Sequence, residues 1–355
     1  MTVTSLVTAL IVTAVPDYQS LLDQMQVEQD IPGVSAVVTY KNKVYFAGAS
    51  GLADIESGRE MSADTVMYAG SLTKIMTAAM TLRLINNGKL ALTDDVPGIS
   101  NGTGNVNIFH LLTHTSGLDR EGDFGYWFSA DFPDASALDR YLINTELHSP
   151  PGEASRYSNI GYAALGAVIE RVTGDGYGSA LHAQLFEPLN MNASGAPGPG
   201  PEVARGYSPI GRVIPTEERP FAGVGNRVGD RHLREYHNAR AMTPAFGAYT
   251  TANDMAEFVQ FLLGFGPHDV LPDELRRQML APKEFGRGLG LRSGRLNDHR
   301  VARHDGWFAA HRSHLLLDLE ANVGIVVLAN SDNAAPALIA EALLAATLDI
   351  ESGTQ

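Results

Sequence analysis

Ser71 and Lys74 stand three residues apart in Tyr68-Ala-Gly-Ser71-Leu-Thr-Lys74, at the head of a stretch that carries no glycine or proline as far as Asn87. On a helix that spacing puts both side chains on one face. Serine is a weak nucleophile until a base removes its proton, and a lysine can serve as that base only while its amine is neutral. Between Ser71 and Leu82 the sole charged residue is Lys74, set among Leu72, Ile75, Met76, Ala78, Ala79 and Met80. A helix apolar on all sides is a buried helix, and burial disfavours the ammonium form. Lysines occur only at positions 41, 43, 74, 89 and 283, so one inside a buried helix carries weight. The plain alternative is a serine at a helix start with a lysine that snorkels to solvent.

Tyr157-Ser158-Asn159 forms a second constellation, after the Pro150-Pro151-Gly152-Glu153 turn and directly before the apolar run Ile160 to Val172. Side chains at a loop-to-helix junction are held by a rigid element. A phenol there can relay a proton, and an asparagine amide can bond both a lysine and a substrate amide. Read alone, the pair is equally a capping asparagine and a core tyrosine.

These residues need a scaffold. A chain of 355 residues exceeds the usual single core of roughly 250. Its 44% hydrophobic and 19% charged residues describe a compact globule. Helices are expected over Tyr18 to Gln29, Ser71 to Asn87, Asn107 to Thr113, Ala135 to Leu147, Asn159 to Val172, Thr251 to Leu263 and Ala334 to Leu348. Strands are expected over Val34 to Tyr40, Val44 to Ala47, Gly288 to Leu296, Val301 to His304, Ser313 to Leu319 and Val323 to Ala329. With strands near both ends and helices between, the fold class reads as α/β (α+β): an antiparallel sheet built from both chain ends, flanked by helices, with an inserted mainly helical domain. The sheet domain is discontinuous, residues 16–69 and 244–355, and the helical domain spans 70–243. Gly195 to Pro244 is rich in Gly, Pro and Arg and reads as a long active-site loop, packed through Tyr207, Phe221 and Tyr236.

At this point the chain resembles the class C β-lactamase and penicillin-recognising serine hydrolase superfamily, especially its family VIII esterases, D-aminopeptidases and S12-like enzymes. The resemblance runs in order through Tyr68 to Lys74, Leu111-Leu-Thr-His-Thr-Ser-Gly117, Tyr157-Ser-Asn159, Thr250 to Met255 and His304-Asp305-Gly306. It implies the β-lactamase/transpeptidase-like fold and an acyl-Ser71 intermediate. Ser71 would be the nucleophile, Lys74 its partner, Tyr157 a phenolate-like base and later acid, and Asn159 a positioning amide. His304-Asp305-Gly306 would replace the family's Lys-Thr-Gly motif, and the backbone N–H groups of Ser71 and Trp307 would form the oxyanion hole. The implied substrate is a small-molecule ester or amide. A D-amino-acid amidase or aminopeptidase, a β-lactamase, a biosynthetic acyltransferase or an acylating sensor are the other readings.

Two departures bear on substrate. Where the family places a hydroxyl that receives a β-lactam carboxylate, this chain has Asp305, and an aspartate facing that pocket repels anions. His304 replaces a fixed positive charge with a titratable ring.

Other signals are weaker. The net charge of -14 disfavours nucleic acid and anionic membrane as partners. With no cysteine, covalent catalysis must use oxygen or nitrogen. His311 and His314 lie three apart in a strand and point to opposite faces, so no metal and no cofactor is expected. His114 reads as structural, bonding a loop carbonyl. Gly286-Arg-Gly288-Leu-Gly290 reads as a strand beside the active site rather than a dinucleotide loop. Phe124, Tyr126, Trp127, Phe128 and Phe132 are either a satellite cluster or the wall of an acyl or aryl pocket. Val3 to Val15 is apolar but has no preceding basic residue, the first being Lys41, so it reads as a helix of a cytoplasmic protein, with a secreted or periplasmic one as the alternative. Oligomeric state stays open.

Overall fold

The computed structural model describes residues 16–100, 104–196, 202–210, 224–234 and 238–352. The expectations for Val3 to Val15, Phe221 and Tyr236 lie outside them. Seven strands form the main sheet: β1 (Gly33–Tyr40), β2 (Lys43–Asp54), β3 (Arg59–Glu60), β4 (Arg292–Leu296), β5 (His299–Phe308), β6 (His311–Asp318) and β7 (Val323–Ala329). Their order is β4-β5-β6-β7-β1-β2-β3. β1 and β7 pair antiparallel, Val34 opposite Ala329 and Tyr40 opposite Val323, so the two ends of the chain meet in the middle of the sheet as expected.

Every residue of β7 is buried, which requires cover on both faces. Helices α1 (Tyr18–Glu28) and α5 (Pro336–Ser352) cover one face, where Leu22, Ile339 and Leu343 pack with Val34, Ile325 and Val327. On the other face, α2 (Thr73–Asn86) and α4 (Ala252–Leu263) pack with Val37, Leu315, Leu317 and Val326. Two-sided burial explains why these strands read as continuous apolar runs rather than alternating ones.

The interval between β3 and β4 holds α2, the helices Ile108–Leu112 and Ala135–Asn144, and α3 (Asn159–Thr173). α3 starts where its sequence says it should: the Ser158 side chain accepts the Gly161 N–H, and the helix ends on Gly174 at φ 79°.

Three expectations need correction. Gly195 to Pro244 is not one long loop, because Gly206–Pro209, Val224–Val228 and Arg231–Arg234 pair into a three-stranded sheet. Strands this short leave no periodicity to detect. Gly286 to Gly290 is not a strand, since β4 begins at Arg292. Gly290 instead lies against α2, where a Cβ would come within 2.6 Å of Ala78 Cβ. β2 also runs well beyond Ala47, to Asp54. Among the described residues no helix is long and apolar enough to cross a membrane.

Candidate active site

Ser71 sits in a single 3₁₀ turn, Gly70–Leu72, that leads into α2. Three hydrogen bonds pin this turn: the Ser313 hydroxyl donates to the Ala69 carbonyl at 2.7 Å, the Ala69 N–H donates to the Ala248 carbonyl at 2.9 Å, and the Thr73 hydroxyl donates to the Gly70 carbonyl at 2.7 Å. The turn presses against the end of β5. A Cβ at Gly70 would meet the Trp307 backbone nitrogen at 2.3 Å, and one at Gly306 would meet the Ala69 carbonyl oxygen at 2.3 Å and the Ser71 nitrogen at 3.2 Å. Glycine at both places, with Gly70 at φ 53°, lets the Ser71 and Trp307 amides come together.

Lys74 is fully buried one turn into the helix. Its Nζ lies 2.7 Å from Asn159 Oδ1, 2.7 Å from the Ala245 carbonyl oxygen and 3.0 Å from Ser71 Oγ. Burial holds its pKa well below the ordinary lysine value; the nearby Glu121 charge opposes that shift and Arg120 reinforces it. The snorkelling alternative is therefore not what this helix does.

Tyr157, half-buried, donates its hydroxyl to Ser71 Oγ at 2.9 Å. Burial pushes its phenol up to about 12, with the Ser71 hydrogen bond acting against that. The expected phenolate-like Tyr157 is thus not the resting form; at neutral pH it is a proton donor. The His114 ring packs 4.5 Å from the Tyr157 ring. His114 is structural, but its Nδ1 accepts the Ser158 N–H at 3.1 Å instead of bonding a carbonyl. Burial keeps that ring neutral.

Asn159 turns its oxygen to Lys74 and its NH₂ to both oxygens of Glu121, at 2.9 and 3.0 Å. In the sequence Glu121 is one of several carboxylates beside the aromatic residues Phe124 to Phe132. No spacing signal connects it to an asparagine so far along the chain. Arg120, also missed, lies over the Tyr157 ring with its guanidinium carbon 5.5 Å from the centroid.

The third motif divides across the strand. Within β5, Ala302 and Phe308 belong to the core shared with α2, whereas Val301 packs toward α5 and Arg303 pairs with Glu341 of α5. Alternation then places His304 and Gly306 on the Ser71 face and Asp305 on the other. His304 is buried, 6.2 Å from the Tyr157 ring between centroids. Its Nδ1–H donates to the Asp305 carbonyl at 2.6 Å, which leaves Nε2 as an acceptor. Burial lowers its pKa to about 3, so it does not titrate near neutrality as expected. Asp305 is bonded to His314 Nδ1 at 2.8 Å, a contact that holds its carboxyl below the usual range. The expectation that this carboxylate faces the acyl pocket is not met. His311 is likewise engaged, with ring nitrogens 3.0 Å from the Ala309 and Ala204 carbonyls.

The aromatic residues split between both expectations. Tyr126 and Phe132 are buried and stack at 4.9 Å, part of the core. Trp127 is partly exposed and packs 5.6 Å from Trp307 and 5.0 Å from Phe246, walling the space beside the β5 edge. Phe124 packs on Tyr141 at 5.4 Å. Gly206–Pro209 buttresses the same edge indirectly: Ser208 bonds Asp332, whose other oxygen accepts the Trp307 indole N–H at 2.7 Å.

The family model described as Beta-lactamase matches residues 18–349. Esterase EstB of Burkholderia gladioli is 29% identical over 357 residues, covering 88% of this chain and 89% of the esterase. Among solved structures, the D-amino acid amidase of Ochrobactrum anthropi SV3 complexed with D-phenylalanine superposes with a TM-score of 0.78 at 21% identity, covering 95% of this chain and 98% of the amidase. The octameric penicillin-binding protein homologue of Pyrococcus abyssi gives 0.78 at 23% identity, over 94% of this chain and 77% of its own. With the match extending from α1 to α5, the chain belongs to the beta-lactamase family and is a serine hydrolase of that fold.

Proposed function

We propose that the protein hydrolyses small carboxylic esters, and amides less readily, through an acyl-Ser71 intermediate formed with Lys74 as base and Tyr157 as acid. The observation that carries this reading is the set of contacts around Lys74. A neutral amine has two N–H bonds and one lone pair. Asn159 Oδ1 and the Ala245 carbonyl only accept, so they take both N–H bonds, and the lone pair is left for the Ser71 hydroxyl.

Attack then runs with balanced protons. Ser71 Oγ bonds the substrate carbonyl carbon while its proton passes to Lys74. The oxyanion is received by the Ser71 and Trp307 N–H groups, which fixed backbone donors can stabilise without reorganising. The leaving oxygen or nitrogen takes the Tyr157 proton, and Tyr157 recovers one from the Lys74 ammonium, both groups standing within 3.0 Å of Ser71 Oγ. Water reverses the sequence to release the acid. Trp127 and Trp307, with the buried Phe246 behind Trp127, offer an apolar wall suited to an aryl or acyl group.

Burst kinetics with a p-nitrophenyl ester, with and without added alcohols, test the reading. Steady release of acid after a burst supports a hydrolase. Preferential transfer to the alcohol makes the protein an acyltransferase, and a burst without turnover makes it an acylating sensor.

A further inference from the structure

We propose that Glu121 is a positioning residue for acyl transfer: its carboxylate decides which end of the Asn159 amide faces Lys74, and so keeps the Lys74 lone pair on Ser71. This rests on Lys74 being the base.

The two ends of an asparagine amide are alike in shape, so neighbours decide the orientation. An ionised carboxylate only accepts, and both Glu121 oxygens lie within 3.0 Å of Asn159 Nδ2, so the NH₂ end must face Glu121. Oδ1 is then left for Lys74, at 2.7 Å. With the amide flipped, the NH₂ would face Lys74 and engage its lone pair, and Ser71 would lose its base.

Glu121 is built in as such a fixture requires. The Tyr126 hydroxyl donates to its Oε2 and Arg120 Nε to its Oε1 at 3.1 Å. The segment on which it sits is stitched to the start of α3, where the Ser158 hydroxyl donates to the Asp119 carbonyl at 2.6 Å and the Asn159 N–H to the Arg120 carbonyl at 2.8 Å. Only 22% of its side chain is exposed. Around Lys74, the other charged or titratable groups are Arg120, Tyr157, Tyr162, His114 and His304, with Arg287 and Arg292 beyond the two histidines. Among the described residues Glu121 is thus the anion that acts on Lys74, and it strengthens the hold of the amine on its proton.

The test compares Glu121→Gln with Glu121→Ala in full-length protein, alongside melting temperature and fluorophosphonate labelling. Glutamine keeps an acceptor for Asn159 and drops the charge; alanine drops both. Glu121→Ala should lower kcat about 100-fold, the lower end of what a general base contributes, with KM within about threefold. Glu121→Gln should keep kcat within about tenfold, while the acid limb of its pH profile moves down by about half a unit or more because the anion is gone. A merely structural role would lower activity with the folded fraction and leave that limb in place. Where wild-type labelling maps to Ser71 and Lys74→Arg is inactive, the base assignment stands. In that case kcat within threefold for Glu121→Ala, or an unmoved acid limb for Glu121→Gln, overturns the role of Glu121 alone.

Discussion

The amine of Lys74 lies 3.0 Å from the Ser71 hydroxyl, while its two closer contacts, at 2.7 Å, are oxygens that can only accept. The relationship makes charge state decisive, because an ammonium in that place has no lone pair to offer. An arginine keeps its proton at any working pH. Lys74→Arg should therefore lower kcat by about 100-fold to 10,000-fold and slow fluorophosphonate labelling in parallel. Activity above about a tenth of wild type would remove Lys74 from the role of base.

Tyr157 is assigned to move a proton and not to hold substrate. Tyr157→Phe should reduce kcat by about 100-fold to 10,000-fold with little change in KM. Because burial places the phenol at about 12, the wild-type rate should show no alkaline fall from this group up to about pH 10. A limb with an apparent pKa near 8 that vanishes in Tyr157→Phe would mean that the phenolate is the working form.

Asp305 supports His314, which is buried with its Nδ1 on the Asp305 carboxylate. Asp305→Asn should destabilise the fold by no more than about 1 kcal/mol in denaturant titrations, because the Asp305 side chain is 67% exposed and the amide oxygen can still accept from His314. Hydrolysis of a neutral ester and of an anionic cephalosporin should keep their wild-type ratio. A selective rise with the cephalosporin would show that the carboxylate turns toward the pocket when substrate binds.

Three buried histidines set a pH dependence of stability. His114, His304 and His311 all bind protons less readily in the folded chain than in the unfolded one, because of burial. As pH falls below about 6.5 the unfolded chain takes up protons first, so stability is full above that value and declines below it. The slope is at most about 1.4 kcal/mol per pH unit for each ring. Urea midpoints at pH 7 and pH 5 should show the loss. A midpoint that holds or rises toward pH 5 would contradict it.

Much of this site was legible because its residues are local. Ser71 and Lys74 lie one turn apart and Tyr157 and Asn159 flank one helix start, so spacing alone pairs them, and in the fold the four side chains meet. β7 and β1 were readable because two-sided burial leaves an unbroken apolar run. What spacing does not carry is direction and partnership across the fold. Asp305 follows His304 in the motif, yet strand alternation sends it to the opposite face, onto His314. Glu121 looks like any loop carboxylate until folding brings it to Asn159. The short strands after Gly195 form only by pairing with each other, which no local pattern announces.

Every role assigned above depends on a covalent intermediate on Ser71. Fluorophosphonate labelling followed by peptide mapping addresses it most directly, with Ser71→Ala as the partner protein. One adduct is expected, on Ser71, and neither labelling nor turnover in Ser71→Ala, whose melting temperature should stay close to wild type because the Ser71 side chain caps no helix. An adduct on any other residue, or turnover that survives in Ser71→Ala, would contradict it.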